Sequence, residues 1–270
     1  MSLTSEEVQR YSRQILLKQV GGKGQEKLLS SRVLIVGAGG LGSPASMYLA
    51  AAGVGTIGLI DGDNVDLTNL QRQIVHFTDD LGTPKVLSAA EKLAAINPSV
   101  RIETYEQRAT AENILEIVSR YDFVIDGTDN FPAKFLINDA CHFAGVPFSH
   151  AGILRFEGQL FTVLPGRSAC YRCLYGGPPP AGVVPSCSQA GVLGAVAGVI
   201  GCLQAAEALK YLIGAGELLS DRMLVFDALE MRFREVKFRR NPRCPLCGAN
   251  PIILKLREEE QAVCELRTAT

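Results

Sequence analysis

Two Cys-x-x-Cys pairs have the spacing of metal-ligating residues. Cys170 and Cys173 form the first pair, and Cys244 and Cys247 form the second pair near the end of the chain. Four thiolates arranged in two such pairs suit a tetrahedral Zn²⁺ ion, and they leave no open coordination position for catalysis. The sequence therefore predicts a structural zinc site, with a redox-active pair as the alternative.

The segment GAGGLG, residues 37–42, is typical of a loop that holds nucleotide phosphates. It lies between an apolar segment and a predicted helix, so its backbone turns tightly and leaves helix N–H groups facing an anion. Asp61 ends the next apolar segment, where a carboxylate accepts hydrogen bonds from ribose hydroxyls. ATP and NAD share these groups, so the loop does not distinguish them. The glycines expected to form it are Gly37, Gly39, Gly40 and Gly42.

Charged and amide side chains after this loop favour ATP. Nucleotidyl transfer needs cations that spread negative charge and a carboxylate that holds Mg²⁺. The segment NLQRQ, a lysine at a predicted helix start and the aspartates of IDGTDN supply those residue types close to strand ends. The candidates are Asn69, Arg72, Gln73, Lys85 and Asp129.

An NAD-dependent oxidoreductase is the second hypothesis, and it would need a proton relay. The chain has three histidines. His76 is expected at the surface of a polar loop, His142 on a helix, and His150 in the core with its polar atoms satisfied. None of them lies in a pattern that indicates catalysis.

Cys187 is the candidate reactive thiol. It lies in VPSCSQAGV, between a loop rich in Pro and Gly and a predicted helix N-terminus. That setting lowers the pKa of a thiol and favours the thiolate. The alternative interpretation is a small buried residue.

The order of the predicted elements would bring these residues together. Strands and helices alternate through the first half of the chain, which predicts a doubly wound, Rossmann-like α/β sheet. After residue 147, GQLFTVL and MLVFDALEMRFREVKF predict antiparallel strands, so the whole sheet is expected to be mixed. We expect one domain over residues 1–250, with a nucleotide-binding half at about 31–147, a crossover loop at about 174–187 and a tail at 251–270.

Composition argues against several classes of partner. The 270 residues carry a formal net charge of −1, so neither nucleic acid nor a membrane surface is expected to bind. Residues 190–206 are apolar but short, and they run into the amphipathic EALKYLIG, which predicts a buried helix. A polar N-terminal segment and cysteines without a disulfide pattern indicate the cytoplasm.

Together these motifs resemble the ThiF/MoeB/HesA family, bacterial relatives of ubiquitin-activating enzymes. The resemblance covers about residues 5–250 and is carried by RYSRQ, GAGGLG, DGDNVDLTNLQRQ, PKV, TDN, RFEGQ, CYRC, CSQAGV and CPLCG. It implies an adenylyltransferase that uses ATP and Mg²⁺ to adenylate the C-terminal glycine of a small β-grasp sulfur-carrier protein ending in Gly-Gly. Such carriers serve pathways such as thiamine or molybdopterin biosynthesis. A non-catalytic, zinc-stabilised ATP-binding protein is the third hypothesis.

The resemblance also implies a role for each candidate residue. Asp61 binds ribose, and Gln73 lines the phosphate loop. Arg13, in RYSRQ, reaches the triphosphate of the neighbouring subunit, which makes a homodimer necessary. Cys187 matches a cysteine that some family members link covalently to the carrier, and a separate protein is expected to donate sulfur. The phosphate and Mg²⁺ contacts fall on Asn69, Arg72, Lys85 and Asp129.

Overall fold

One mixed β-sheet organises the protein. The computed structural model describes residues 3–180 and 190–259. The strands are β1 (Arg32–Val36), β2 (Thr56–Ile60), β3 (Arg101–Tyr105), β4 (Phe123–Asp126), β5 (Phe148–Leu154), β6 (Glu157–Val163), β7 (Arg222–Asp227) and β8 (Arg232–Lys237). The helices are α1 (Ser5–Arg10), α2 (Ser12–Ile15), α3 (Gly21–Ser30), α4 (Gly42–Ala51), α5 (Lys85–Ile96), α6 (Ile114–Val118), α7 (Phe131–Ala144), α8 (Tyr171–Tyr175) and α9 (Gly194–Ile213).

The sheet changes from parallel to antiparallel along its width. Its strand order is β3-β2-β1-β4-β5-β6-β7-β8. The first five of these strands run parallel, and β6, β7 and β8 continue as antiparallel neighbours. The predicted fold class, a parallel nucleotide-binding half followed by antiparallel strands, is confirmed. Because the chain order reverses between β1 and β4, a ligand crevice is expected at the carboxyl ends of these two strands.

Alternate residues of the central strands bury two different cores. On β1, Leu34 and Val36 face a core that includes α6 and α7, whereas Val33 and Ile35 face a core that includes α4, α5 and α9. This period of two is what a strand covered on both faces requires. The rigid sheet therefore fixes where the loops after β1, β2 and β4 emerge.

Helix α9 is the apolar segment that raised the question of a membrane span. It is long and apolar enough to cross a membrane by length and composition, and 44% of its 18-residue window is buried within the protein. A Cβ added to Gly201 would lie 2.4 Å from the Leu41 carbonyl oxygen and 2.6 Å from Pro44 Cγ, so α9 packs directly on the start of α4. The helix therefore lies in the core, as the sequence predicts.

The segment after residue 250 packs on the domain as far as it is described. Ile253 is 4% exposed and belongs to the core around α7. Glu259 forms a 2.6 Å ion pair with the buried Arg172. The division into a domain over 1–250 and a tail over 251–270 stays a prediction, and residues 251–259 show that its first part is held by packing and charge.

Candidate functional site

A cleft of about 650 Å³ opens at the carboxyl ends of β1, β2 and β4. This is the switch point at which doubly wound sheets bind ligands. The cleft has a size that suits a nucleotide and is lined by both polar and apolar side chains. Eight of the predicted site residues line it: Gly37, Gly39, Gly40, Asp61, Arg72, Gln73, Lys85 and Asp129.

At two positions the glycine loop has no room for a side chain. Gly37 has φ +95°, and a Cβ there would lie 2.9 Å from the Gly127 carbonyl oxygen. Gly42 does not line the cleft, but a Cβ on it would lie 2.0 Å from the Gly37 carbonyl oxygen. These contacts bring the start of α4 against the loop, so its free N–H groups lie next to the cleft.

Asp61 is fixed beside this loop at the end of β2. One carboxylate oxygen accepts a hydrogen bond from the Ala38 N–H at 2.8 Å, and the other accepts one from the Asp63 N–H at 2.9 Å. The carboxylate is therefore oriented before any ligand arrives. It is also next to the phosphate loop, where the ribose of a bound nucleotide would lie.

Three cationic side chains line the cleft. Lys85, at the start of α5, lies 3.2 Å from an oxygen of Asp63, and Arg108 lies 3.3 Å from the other oxygen. Arg72 donates to the Thr68 carbonyl oxygen at 2.9 Å. Burial alone would raise the pKa of Asp63. The charges and hydrogen bonds of Lys85 and Arg108 lower it by more, so the pKa is below its ordinary value. Arg108 was not predicted from the sequence.

Two aspartates of IDGTDN have different environments. Asp129 is exposed, lines the cleft and makes no side-chain hydrogen bond or ion pair within the described part of the chain. Asp126 is fully buried, 3.1 Å from Lys134 Nζ and 2.9 Å from His150 Nδ1. Burial raises the pKa of Asp126, but Lys134 and His150 lower it to about 2 overall. Of these two aspartates, only Asp129 therefore has oxygen atoms free for a metal ion.

Besides Gly42, two predicted residues, Asn69 and Arg13, do not line this cleft. The side chain of Asn69 accepts the Asp66 N–H at 3.3 Å and closes a single helical turn there. Arg13 is exposed on α2 and does not line the cleft of its own chain. Cys187 lies outside the described residues.

His76 is buried, so its predicted place at the surface is wrong. It is 4% exposed, and its Nε2 lies 2.9 Å from the Ala38 carbonyl oxygen in the glycine loop. Because a carbonyl oxygen only accepts, Nε2 carries the proton and donates. Nδ1 lies 2.8 Å from Ser88 Oγ on α5. His76 thus ties the loop to α5, and burial lowers its pKa. Residue spacing does not indicate this contact, because it joins segments that are distant in the chain.

The four paired cysteines converge at one point. The Sγ atoms of Cys170 and Cys173 are 3.8 Å apart, and those of Cys173 and Cys247 are 3.4 Å apart. Cys244 Sγ lies 3.6 Å from that of Cys170, and all four lie within 4.8 Å of one another. Zn–S bonds of about 2.3 Å in a tetrahedron would place the sulfur atoms about 3.8 Å apart. The cluster is therefore compatible with the predicted zinc site.

The sequence profile of one family matches most of the chain. The ThiF family profile covers residues 11–246. This chain belongs to the ThiF family. The predicted resemblance is therefore confirmed.

Similar proteins place this ThiF-family chain among adenylyltransferases. A sulfur carrier protein adenylyltransferase of Thermus thermophilus is 49% identical over 272 residues, which cover 99% of this chain and 100% of that protein. A SAMP-activating enzyme E1 of Haloferax volcanii is 50% identical over 248 residues, which cover 92% of each chain. These relatives bear out the predicted enzyme type and give no support to an oxidoreductase.

A solved structure shares the ThiF fold. The crystal structure of E. coli MccB with ATP matches this chain with a TM-score of 0.77 and 26% sequence identity. The match covers 88% of this chain and 74% of MccB. The mixed sheet described above is therefore that of known proteins with this fold.

Proposed function

We propose that this chain uses ATP and Mg²⁺ to adenylate the C-terminal glycine of a small β-grasp sulfur-carrier protein ending in Gly-Gly. The observation that carries the proposal is the convergence of Arg72, Lys85 and Asp129 on the cleft that holds the glycine loop. The name of the Thermus relative, a sulfur carrier protein adenylyltransferase, supports the same reaction.

The cleft separates the tasks of binding and neutralisation. Asp61 is oriented to accept ribose hydroxyls, and the loop at Gly37, Gly39 and Gly40 allows phosphates to approach the backbone. Arg72 and Lys85 lie on the side of the cleft that the triphosphate would occupy. Their positive charges offset those of two anions that otherwise repel each other, the carrier carboxylate and ATP.

The reaction is an in-line displacement at the α-phosphorus. A carboxylate oxygen of the terminal glycine forms a bond to that phosphorus, and the bond to the bridging α–β oxygen breaks. The electron pair leaves with pyrophosphate, and no proton has to be transferred. Asp129 has the free hard oxygen ligands that Mg²⁺ prefers, and the ion would neutralise charge on the pyrophosphate oxygens.

A homodimer completes the proposed site. Arg13 is exposed on α2 and lies outside the cleft of its own chain, so it is available to reach the triphosphate of a neighbouring subunit. Asn69 belongs to the proposed phosphate-binding set, although its side chain caps a turn in the free protein. A covalent link between Cys187 and the carrier would follow adenylation, with sulfur supplied by a separate protein.

The proposed zinc ion has a structural role. Cys170, Cys173, Cys244 and Cys247 form a closed set of four thiols beside the core around α7. Such a set provides no site for a substrate. Reduced thiols in this number also support the proposed cytoplasmic location.

Carrier-dependent exchange of pyrophosphate into ATP tests this function. The assay uses the purified chain, Mg-ATP, labelled pyrophosphate and a panel of Gly-Gly-ended carriers from the same genome. We expect exchange with at least one carrier, and none when its terminal glycine is removed. ATP binding without exchange for the whole panel would favour the non-catalytic ATP-binding protein, and NADH binding that Mg-ATP does not displace would favour the oxidoreductase.

A further inference from the structure

His150 carries a buried polar atom that the protein leaves without a partner. The residue is 1% exposed on β5, and its ring packs against Tyr171 and Phe161, with centroids 4.5 and 4.9 Å away. Its Nε2 makes no hydrogen bond within residues 3–180 and 190–259, although the residue lines the cleft. Such an orphaned atom costs stability unless a ligand satisfies it. The expectation that His150 is a satisfied core residue is therefore wrong in this respect.

The other ring nitrogen determines what Nε2 can bind. Nδ1 lies 2.9 Å from the Asp126 carboxylate, which can only accept, so Nδ1 carries the proton. Lys134 Nζ lies 3.1 Å from the same Asp126 oxygen, and its ammonium group also donates to the carbonyl oxygens of Thr128 and Ala151. Burial lowers the pKa of His150 to about 4, so the ring is neutral at physiological pH. Nε2 is therefore an acceptor that requires an N–H or O–H donor.

The strand beside His150 has room for a ligand backbone. Gly152 lies two residues further along β5, so it shares a face of the sheet with His150. A Cβ on Gly152 would meet only the side chain of Gln159, at an ordinary contact distance of 3.6 Å. The fold itself does not require glycine here, and a missing side chain inside a strand often marks the close approach of another backbone.

This half of the cleft is also chemically distinct from the nucleotide half. Arg72 and Lys85 lie between β2 and β3 in the chain, and Arg108 follows β3. All three line the cleft. Around His150 the lining includes Leu136, Tyr171 and Gly152. The ammonium group of Lys134 also lies there, but it donates to oxygens of Asp126, Thr128 and Ala151. An uncharged main chain therefore suits this half better than phosphate does.

We propose that His150 Nε2 accepts a hydrogen bond from a main-chain N–H of the carrier's C-terminal glycine segment, which lies against Gly152. His150 is then a binding residue that positions the carrier carboxylate towards the α-phosphate. This inference rests on the proposed function and names the part of the site that selects the second substrate.

Two substitutions at His150 separate its nitrogens. In His150→Asn the amide nitrogen replaces Nδ1 and still reaches Asp126, but no atom replaces Nε2. In His150→Gln the amide reaches the position of Nε2. KM values for carrier and for ATP are measured by pyrophosphate exchange. Because a neutral hydrogen bond contributes about 0.5–1.5 kcal/mol, His150→Asn should raise the carrier KM roughly two- to tenfold and leave the ATP KM unchanged. His150→Gln should recover most of this loss.

A third variant avoids the buried Asp126 network. Gly152→Ala places a methyl group where the carrier backbone would lie, and the protein has room for it. The carrier KM should rise by at least a few-fold, again with the ATP KM unchanged. An unchanged carrier KM in both His150→Asn and Gly152→Ala overturns the inference, and so does a rise in the ATP KM alone. Absence of exchange in the wild-type protein with every carrier would instead reject the proposed function.

Discussion

Charged side chains of the same types have different numbers of protein partners in two neighbouring regions. In the open cleft, which we define by Arg72, Lys85 and Asp129, Asp129 is exposed, Arg72 is half-buried, and Lys85 is buried but pairs with a single carboxylate. In the closed region, which we define by Asp126, Lys134, Asp139, Arg172 and the four paired cysteines, they are buried against one another. Asp126 and Asp129 are three residues apart and belong to different regions.

The difference between the regions predicts how substitutions divide between stability and rate. A buried ion pair that loses one partner leaves an uncompensated charge in the core, which lowers the free energy of unfolding. A cation such as Arg72, which is half-buried and bonded to one carbonyl oxygen, contributes little to folding, but it stabilises charge that develops in the transition state. Variants in the closed region should therefore affect stability, and variants in the open cleft should affect turnover.

Loss of the proposed zinc ion should have the largest effect. Cys244→Ser removes one thiolate from the closed region, and we expect the free energy of unfolding to fall by about 4 kcal/mol or more, because metal ligation contributes directly to folding. Zinc content by mass spectrometry and thermal unfolding measure this. Cys202→Ser, which changes a partly exposed thiol outside the cluster, is the matched control. A wild-type protein that contains no zinc and has the same free energy of unfolding as Cys244→Ser would contradict the prediction.

Removal of a cation from the open cleft should affect rate alone. Arg72→Ala is expected to reduce pyrophosphate exchange roughly a hundred- to thousandfold, the typical effect of losing one charge-stabilising donor. The unfolding temperature should stay that of the wild type. Arg167→Ala, at an exposed position outside the cleft, should retain wild-type exchange. If Arg72→Ala lowered the unfolding temperature and retained exchange, the division between the two regions would fail.

Acid should destabilise the protein through His150, which lines the cleft and is hydrogen-bonded to Asp126 of the closed region. The pKa of this histidine is about 4 in the folded protein, against an ordinary value of 6.5. Between these values the unfolded chain binds a proton that the folded chain does not, so stability falls as pH decreases from 6.5 to 4, by about 3 kcal/mol for this group. Asp126, with a pKa of about 2, acts only below this window.

The contribution of His150 is measured as a difference between two proteins. His76 and His142 also have lowered pKa values and add slope of the same sign. Denaturant unfolding of the wild type and of His150→Asn from pH 6.5 to 4 should therefore give a smaller slope in the variant. Equal slopes would show that His150 binds its proton equally well when folded.

The smallest predicted effect lies at the boundary between the regions. Glu259 lines the cleft and forms an ion pair with Arg172. Arg172 also forms an ion pair with the Asp139 carboxylate, at 2.7 Å. Because Asp139 remains, Glu259→Gln should cost about 1 kcal/mol of stability and leave exchange unchanged. Glu258→Gln is the control, since Glu258 also lines the cleft but, among the residues that the structure describes, accepts only a 3.4 Å hydrogen bond from the Ala111 N–H. A loss of exchange in Glu259→Gln would assign this residue to the open cleft.

The parts of the site that could be predicted from the sequence are local in the chain. The glycine loop and each cysteine pair span only a few residues, and the alternation of strands and helices predicts the parallel half of the sheet. The contacts of His76 with Ala38, of His150 with Asp126 and of Arg108 with Asp63 join segments 24 to 45 positions apart. They depend on strand neighbours and on burial, which residue spacing does not reveal.

Asn69 and β5 show the same limit. Asn69 is close to Arg72 in sequence, yet its side chain caps its own turn. Strand β5 contains the polar residues Ser149 and His150, so its sequence does not have the apolar pattern of a buried strand. Its pairing with β4 and β6 places it inside the sheet.

If the proposed function is right, Arg72, Lys85 and Asp129 act together on one triphosphate. A crystal structure of the protein with Mg-ATP would show this. We expect Arg72 and Lys85 within hydrogen-bond distance of phosphate oxygens, and Asp129 bound to Mg²⁺ directly or through a water. A bound nucleotide from which all three side chains point away would contradict it.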